Sequence, residues 1–393
     1  MNMLALVLLA VLAGGSCRPE TGDLDSLLDN YKATLDSSPR TEAGSTAPGA
    51  YNPLDCECVP YYLCLNNSII TDGVGLIDIR IKEGPCDNYL DVCCQKPDTL
   101  TAPITPRPHA RAGCGARNPD GVGFRITGHG DGEAQFGEFP WMVAVLREEA
   151  VGGDGGAHNL NVYQCGGSLV HPQVVLTAAH CVAGKESKHL KIRAGEWDTQ
   201  TKNELFPHQD RDVEKVIVHD KFYPGALYND VALLLLSKPV DIAENVDVVC
   251  LPQQDEPMDG RRCFASGWGK DVFGKEGRYQ VILKKVELPV VPIDKCVESL
   301  RKTRLGPYFK LHESFICAGG EVGKDTCKGD GGSPLVCPTR GNPLQYVQSG
   351  IVAWGIGCGE DQTPGVYVNV AHFRNWIDEQ LVYNNLDISG YKY

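Results

Sequence analysis

Residues 327–335 read CKGDGGSPL, and two stretches upstream read LTAAHC (176–181) and NDVALLLL (229–236). Together they set a histidine, His180, then a carboxylate, Asp230, then a glycine-rich loop along the chain. Hydrolysis through an activated serine uses these parts. The imidazole takes the hydroxyl proton, a buried carboxylate holds the imidazole in one tautomer, and backbone N–H groups face the developing oxyanion. The loop runs Gly329-Asp330-Gly331-Gly332-Ser333, so a hydroxyl is present but stands at the far end of the glycine run.

Around these stretches short apolar runs recur, VVLTAAHC, VALLLL, VILKKVELPV and GIVAWG among them, separated by loops bearing Gly and Pro. Many short strands with turn signals predict a mainly β domain, a barrel or sandwich, beginning near Cys114. AHFRNWIDEQLV (371–382) predicts a helix close to the end. A chain of 393 residues predicts more than one unit. A formal net charge of -13, without a long block of Lys and Arg, excludes a surface that tracks nucleic acid.

The apolar run 4–13 has the length of a secretory h-region and is too short to cross a bilayer, so residues 1–17 read as a signal peptide and the chain as secreted, with no membrane partner. Seventeen cysteines behind such a leader predict an oxidising compartment and a disulfide framework. Cys17 leaves with the leader, which makes the remaining number even. Residues 18–55 form an acidic flexible segment in which Leu24, Leu27, Leu28, Tyr31 and Leu35 fall at helical spacing. Residues 56–94 carry six cysteines spaced C-x-C-x5-C-x21-C-x6-CC. So small a stretch cannot bury enough apolar surface, and three bridges, each worth about 2 to 4 kcal/mol, must restrict its unfolded state. LIDIRI (76–81) alternates as a strand does, Asn66 is a glycosylation acceptor, and the proline-rich 95–113 stretch reads as an exposed linker.

The segments FGEFPWMVAVL, QCGGSLV, LTAAHC, NDVALLLL, ASGWG, ICAGG, DTCKGDGGSPL and PGVYVNV stand in the order found in the chymotrypsin-like serine proteases, which residues 126 to about 383 closely resemble. The upstream cysteine module, with its adjacent final pair, resembles an arthropod clip domain. The resemblance implies a chymotrypsin-like double β-barrel with a C-terminal helix over 114–383, followed by a tail, 384–393. That family writes its nucleophile loop G-D-S-G-G-P-L, so Gly331 takes the nucleophile position and leaves His180 and Asp230 with nothing to activate. Ser333 lies two residues beyond, where even about 1 Å of misplacement costs about a hundredfold. Two further departures agree. Ala353 replaces the serine that helps hold the triad aspartate, and RITGH (125–129) departs from the Ile-Val-Gly-Gly terminus that, once freed, inserts against the aspartate before the nucleophile.

Other features follow the family pattern. Asp325, Gly355 and Gly365 match a trypsin-type S1 pocket, and AGEWDTQTKNELFPHQD (194–210) resembles the calcium loop, with Glu196, Asp198, Thr201, Asn203 and Asp210 as ligands. Family pairings imply Cys165 with Cys181, Cys263 with Cys337, Cys296 with Cys317, Cys327 with Cys358, and Cys114 with Cys250. In the clip module they imply Cys56 with Cys93, Cys58 with Cys86, and Cys64 with Cys94. Spacing alone leaves all connectivities open. The resemblance is to non-catalytic clip-domain homologues and implies an adaptor or cofactor in phenoloxidase activation during insect melanisation immunity. Its implied partners in haemolymph are phenoloxidase and an active clip-domain protease, with oligomers forming after cleavage. The rival readings are a microbial pattern-recognition or adhesion protein and a trypsin-like protease working through Ser333. Regulation is expected by a cut after Arg111, Arg117 or Arg125, with Arg111 favoured because the Arg125 site lacks the Val-Gly-Gly that makes insertion productive; a cut at Arg111, ahead of Cys114, would free the clip module from any covalent tie.

Overall fold

The computed structural model describes residues 56–64, 75–78, 86, 90–95, 98–101, 113–127, 132–151, 158–202, 204–270, 279–327 and 329–393. The leader, the 18–55 segment, Asn66, Arg111, Asn203 and most of the 95–113 linker lie outside the described residues.

The cysteine module contributes β1 (Cys56–Pro60), β2 (Gly75–Asp78) and β3 (Asp91–Gln95). β1 and β3 pair antiparallel with Cys58 opposite Cys93, and disulfides Cys56–Cys93, Cys58–Cys86 and Cys64–Cys94 close the ribbon. Its own apolar cluster holds only the buried residues Val59, Cys64 and Cys94, so the cross-links do what a core would do elsewhere. The start of the expected linker belongs to this module, because the Leu100 N–H donates to the Leu63 carbonyl at 2.8 Å.

β4 (Phe124–Thr127) precedes the barrels and pairs in parallel with β2. The first barrel closes in the order β10-β7-β6-β5-β8-β9 from β5 (Met142–Val151), β6 (His158–His171), β7 (Val174–Thr177), β8 (Leu190–Ala194), β9 (Gln209–Val218) and β10 (Ala232–Leu236). The second closes as β11-β12-β13-β16-β15-β14 from β11 (Arg262–Gly267), β12 (Lys284–Val291), β13 (Phe315–Gly319), β14 (Pro334–Pro338), β15 (Tyr346–Trp354) and β16 (Pro364–Asn369). The double barrel predicted from the sequence is therefore present. Closure removes exposed strand edges, and the apolar runs are explained by it: all four residues of β7, VVLT, are buried, while β8 alternates buried and half-buried.

Three short helices complete the domain: α1 (Ala179–Val182), α2 (Ile293–Arg301) and α3 (Arg374–Tyr383). Disulfides Cys165–Cys181, Cys263–Cys337, Cys296–Cys317, Cys327–Cys358 and Cys114–Cys250 staple loops and helices to the strands. Residues 384–393 pack back on the barrel. Tyr391 is buried, its hydroxyl donates to Asp378 Oδ1 at 2.6 Å, and its carbonyl accepts the Leu251 N–H at 3.0 Å.

The cysteine module is docked, although the sequence suggested only a tethered unit. Tyr61 and Leu90 belong to the same continuous apolar cluster as the barrels. The Tyr61 ring meets Phe124 edge-on at 4.7 Å, Phe124 stacks on Phe136 at 5.5 Å, and Phe136 meets Trp197 edge-on at 6.2 Å. Such aromatic pairs contribute about 0.5 to 1.5 kcal/mol each beyond the area they bury.

Burial also bears on the cut sites. The Arg117 side chain is only 12% exposed; it bonds Glu138 Oε1 at 3.0 and 2.5 Å and the Tyr346 hydroxyl at 2.9 Å, and lies 4.0 Å over the Phe264 ring. A protease must draw its substrate out as an accessible segment, and extracting Arg117 would break these contacts and leave the buried Glu138 with Lys285, so burial weighs against Arg117 among the cleavage candidates. Arg125, by contrast, is exposed.

Candidate functional site: a catalytic dyad facing a glycine

His180 sits on the single turn α1, directly after β7, and the Cys165–Cys181 disulfide anchors that turn to β6. Asp230 lies at the start of the segment leading into β10 with its side chain 0% exposed. Its Oδ1 accepts the His180 backbone N–H at 2.7 Å, and its Oδ2 accepts the ring Nδ1–H at 2.6 Å. That second bond fixes the tautomer, so the Nε2 lone pair faces the 329–333 loop as a general base requires. The approach to Asp230 is bent: Leu227 and Asn229 take φ of 56° and 55°, a left-handed conformation that non-glycine residues seldom adopt.

The base has no nucleophile. Gly331 lies directly against the imidazole, and a Cβ at this position would fall 2.8 Å from His180 Nε2 and 3.3 Å from Cε1. The ring therefore occupies part of the space that a serine side chain would need. Ser333 is completely buried behind the loop, tight against Gly166, where a substrate carbonyl has no approach. The reading of Ser333 as a relocated nucleophile is thereby set aside. Ala353, at the end of β15, offers no hydroxyl to Asp230.

Asp330 shows the state of the loop. Its Oδ1 accepts the Gly269 N–H and its Oδ2 the Cys327 N–H, both at 2.9 Å. Burial pushes its pKa up to about 6, only partly offset by these two donors, and no cation pairs with it among the described residues. Only glycine fits opposite: a Cβ on Gly269 or Gly267 would fall 2.3 or 2.4 Å from Asp330 Oδ1. Ile126 remains in mid-strand within β4, so its nitrogen is a peptide nitrogen rather than the ammonium that would neutralise Asp330.

At the S1-like position Asp325 accepts the Thr326 N–H on Oδ1 at 2.8 Å and the Gly359 N–H on Oδ2 at 3.1 Å, and burial pushes its carboxyl up. Gly365 abuts it, since a Cβ there would lie 3.0 Å from Asp325 Oδ1, whereas Gly355 has open space around it. Asp325 and Asp330 both line a cavity of about 510 Å³ that also contains Lys270, Lys284 and Lys324. Gly355 opens instead on a separate cavity of about 340 Å³ walled by Leu227, Tyr228, Phe309 and Trp354. Gly365 thus stands directly against Asp325, and Gly355 lines the neighbouring cavity.

The 194–210 loop forms a cluster able to hold a metal ion, and it shares Glu196 with the set expected from the sequence. Ligand atoms of Glu196, Glu204 and His208 all lie within 4.8 Å of one another. Burial, reinforced by neighbouring carboxylates, pushes Glu196 up to about 7 and Glu204 up to about 8. Glu196 also meets Arg193 at 3.0 Å, and Glu204 accepts the N–H groups of Asp198 and Trp197 at 2.9 and 3.2 Å. Asp198 is buried beside the cluster, its Oδ1 accepting the Gln200 N–H, and Thr201 donates its N–H to the Asp198 carbonyl. Asp210 is held by both arms of Arg193 at 2.8 and 3.0 Å. Glu204 and His208 escaped the sequence reading; the visible signal was an acid and an imidazole flanking the apolar Leu205-Phe206 pair.

Comparison with known proteins agrees with this geometry. The family described as Trypsin matches residues 129–377, and the one described as Serine protease Clip domain PPAF-2 matches residues 49–95. The chain is 61% identical to "Phenoloxidase-activating factor 2" of Galleria mellonella over 75% of this chain and 98% of that protein. It is 40% identical to "Inactive CLIP domain-containing serine protease A28" of Anopheles gambiae over 85% and 89%, respectively. A second Anopheles gambiae relative, "Inactive CLIP domain-containing serine protease A8", is 37% identical over 82% and 88%.

Two outcomes follow from the loop. Gly331→Ser should leave arginine-ester hydrolysis at least about a thousandfold below that of an active trypsin-like enzyme, because the ring must retreat and a displaced catalytic group already costs about a hundredfold per ångström. Ordinary trypsin-like turnover by this variant would refute the geometry. Asp330, with a folded pKa of about 6 above the usual carboxylate range, favours the folded state when protonated. Its contribution is complete below about pH 4 and is lost as pH rises through about 6. Urea titrations across that range should show the decline, and Asp330→Asn should make it shallower, the remainder coming from carboxylates such as Glu196 and Glu204; an unchanged slope would contradict a buried, unneutralised carboxylate.

Proposed function

Because the chain belongs to the trypsin family, in its clip-domain branch and with its nucleophile replaced by Gly331, we propose that it works by binding, as an extracellular adaptor or cofactor in phenoloxidase activation. The observation that carries this reading is the intact His180–Asp230 dyad set against a glycine whose missing side chain the imidazole has partly displaced. A protein built this way can present the shape of a protease without cleaving what it meets. Its partners on this reading are phenoloxidase and an active clip-domain protease. A switch by a linker cut remains part of the proposal, with Arg111 favoured and Arg125 as the alternative.

The finer metal assignment belongs here too. Calcium is the proposed ion, held by the carboxylates of Glu196 and Glu204, with His208 at the edge of the cluster. A hard cation suits two buried carboxylates that repel each other, and it would offset the desolvation that raises their pKa values.

Mixing the purified chain with phenoloxidase, with and without the activating protease, tests the function. A rise in phenoloxidase activity only in the complete mixture is expected, and an equal rate without this chain would sink the adaptor reading. Calcium in excess over chelator should raise the melting temperature, by mass action on the folded state. Glu204→Gln should abolish that rise; identical melting curves in calcium and chelator would remove the ion from the proposal.

A further inference from the structure

Arg125 offers a side chain while its backbone is engaged. The guanidinium is 52% exposed and reaches Asp120 Oδ1 at 3.1 Å. Its main chain runs within β4, in parallel register with the clip strand β2, Leu76 opposite Arg125 and Ile77 opposite Ile126. Phe124, immediately before Arg125, is buried between the Tyr61 ring of the clip module and Phe136 of the barrel domain.

A trypsin-like protease binds an extended stretch of main chain on both sides of the bond it cuts, and the side chains flanking that bond must enter its cleft. A bond inside a paired strand, next to a side chain locked in an aromatic stack, meets this demand only after local opening. We propose that the docked clip module, through β2 and Tyr61, shields the Arg125–Ile126 peptide bond, so that the clip must leave β4 before a trypsin-like protease cuts there. Severing the chain at Arg111 does not by itself open the site, because Tyr61 and Leu90 stay in the shared apolar cluster. The inference concerns which bond is accessible and stands apart from the adaptor role.

Tyr61 is the residue to vary, since its buried hydroxyl has no hydrogen-bond partner among the described residues and its ring makes the contact with Phe124. Under limiting trypsin, with the new terminus at Ile126 quantified by mass spectrometry on the full chain, Tyr61→Ala should speed cleavage after Arg125 at least tenfold. Tyr61→Phe should match the unsubstituted chain, and the rate after Arg111 should be unchanged in both. Equal rates after Arg125 in all three proteins would overturn the proposal. Hydrogen exchange on the unsubstituted chain decides independently of any folding defect in a variant. Slow exchange in 124–127 that is lost together with that of 75–78 is expected, whereas rapid exchange in 124–127 while both barrels stay protected would overturn it.

Discussion

The Glu138 carboxylate is wholly buried where the segment leading into the domain meets the second barrel. Its Oε1 is held by Arg117 at 3.0 and 2.5 Å, Lys285 of β12 bonds both oxygens at 3.0 and 2.7 Å, and the Gln135 N–H donates to Oε2 at 2.8 Å. Desolvating a lone carboxylate costs several kcal/mol, so the site is tolerable only while both cations stay in place. Arg117 extends the connection, lying over Phe264 of β11 and donating to the Tyr346 hydroxyl at the start of β15. Residues far apart in the chain must all be in position before this charge is compensated. The seating of the 117–138 segment on the second barrel depends on that condition.

Loss of one side chain has not released the rest of the catalytic architecture. Asp230 still orients an imidazole, and Asp330 still requires glycine at 267 and 269. These contacts are structural as well as chemical: Gly166 donates its N–H to the Gly331 carbonyl, and Gly332 donates to the Val352 carbonyl, tying the loop to both barrels. The loop is thus held by its backbone, which explains how its geometry can persist without a reaction to perform.

How legible this was in the sequence depended on the distance over which each feature is encoded. The β character was legible because short alternating and fully apolar runs carry strand and burial signals locally, while the pair of barrels and the place of glycine 331 came from the resemblance of ordered motifs to the chymotrypsin-like proteases. The docking of the clip module was not, since Tyr61, Leu90, Phe124 and Phe136 meet only after folding and none looks unusual in its own segment. The metal cluster was half legible. Glu196 was found, but Asp210 is held by Arg193, while Glu204 enters because the loop folds back against the Trp197 backbone. Local acidity does not reveal which carboxylates converge.

The Cys114–Cys250 disulfide joins the segment ahead of β4 to the connection between the two barrels, where Cys250 pairs with Val347 of β15. A chain opened after Arg125 would therefore diffuse as one particle, with the clip module confined near the surface it had left. Return to that surface would be intramolecular, against an effective concentration on the order of millimolar. Any partner that captures the vacated surface must compete with that concentration rather than with free clip module in the surrounding fluid. A weak partner would be excluded even when abundant, and a partner able to grip both halves at once would have the advantage.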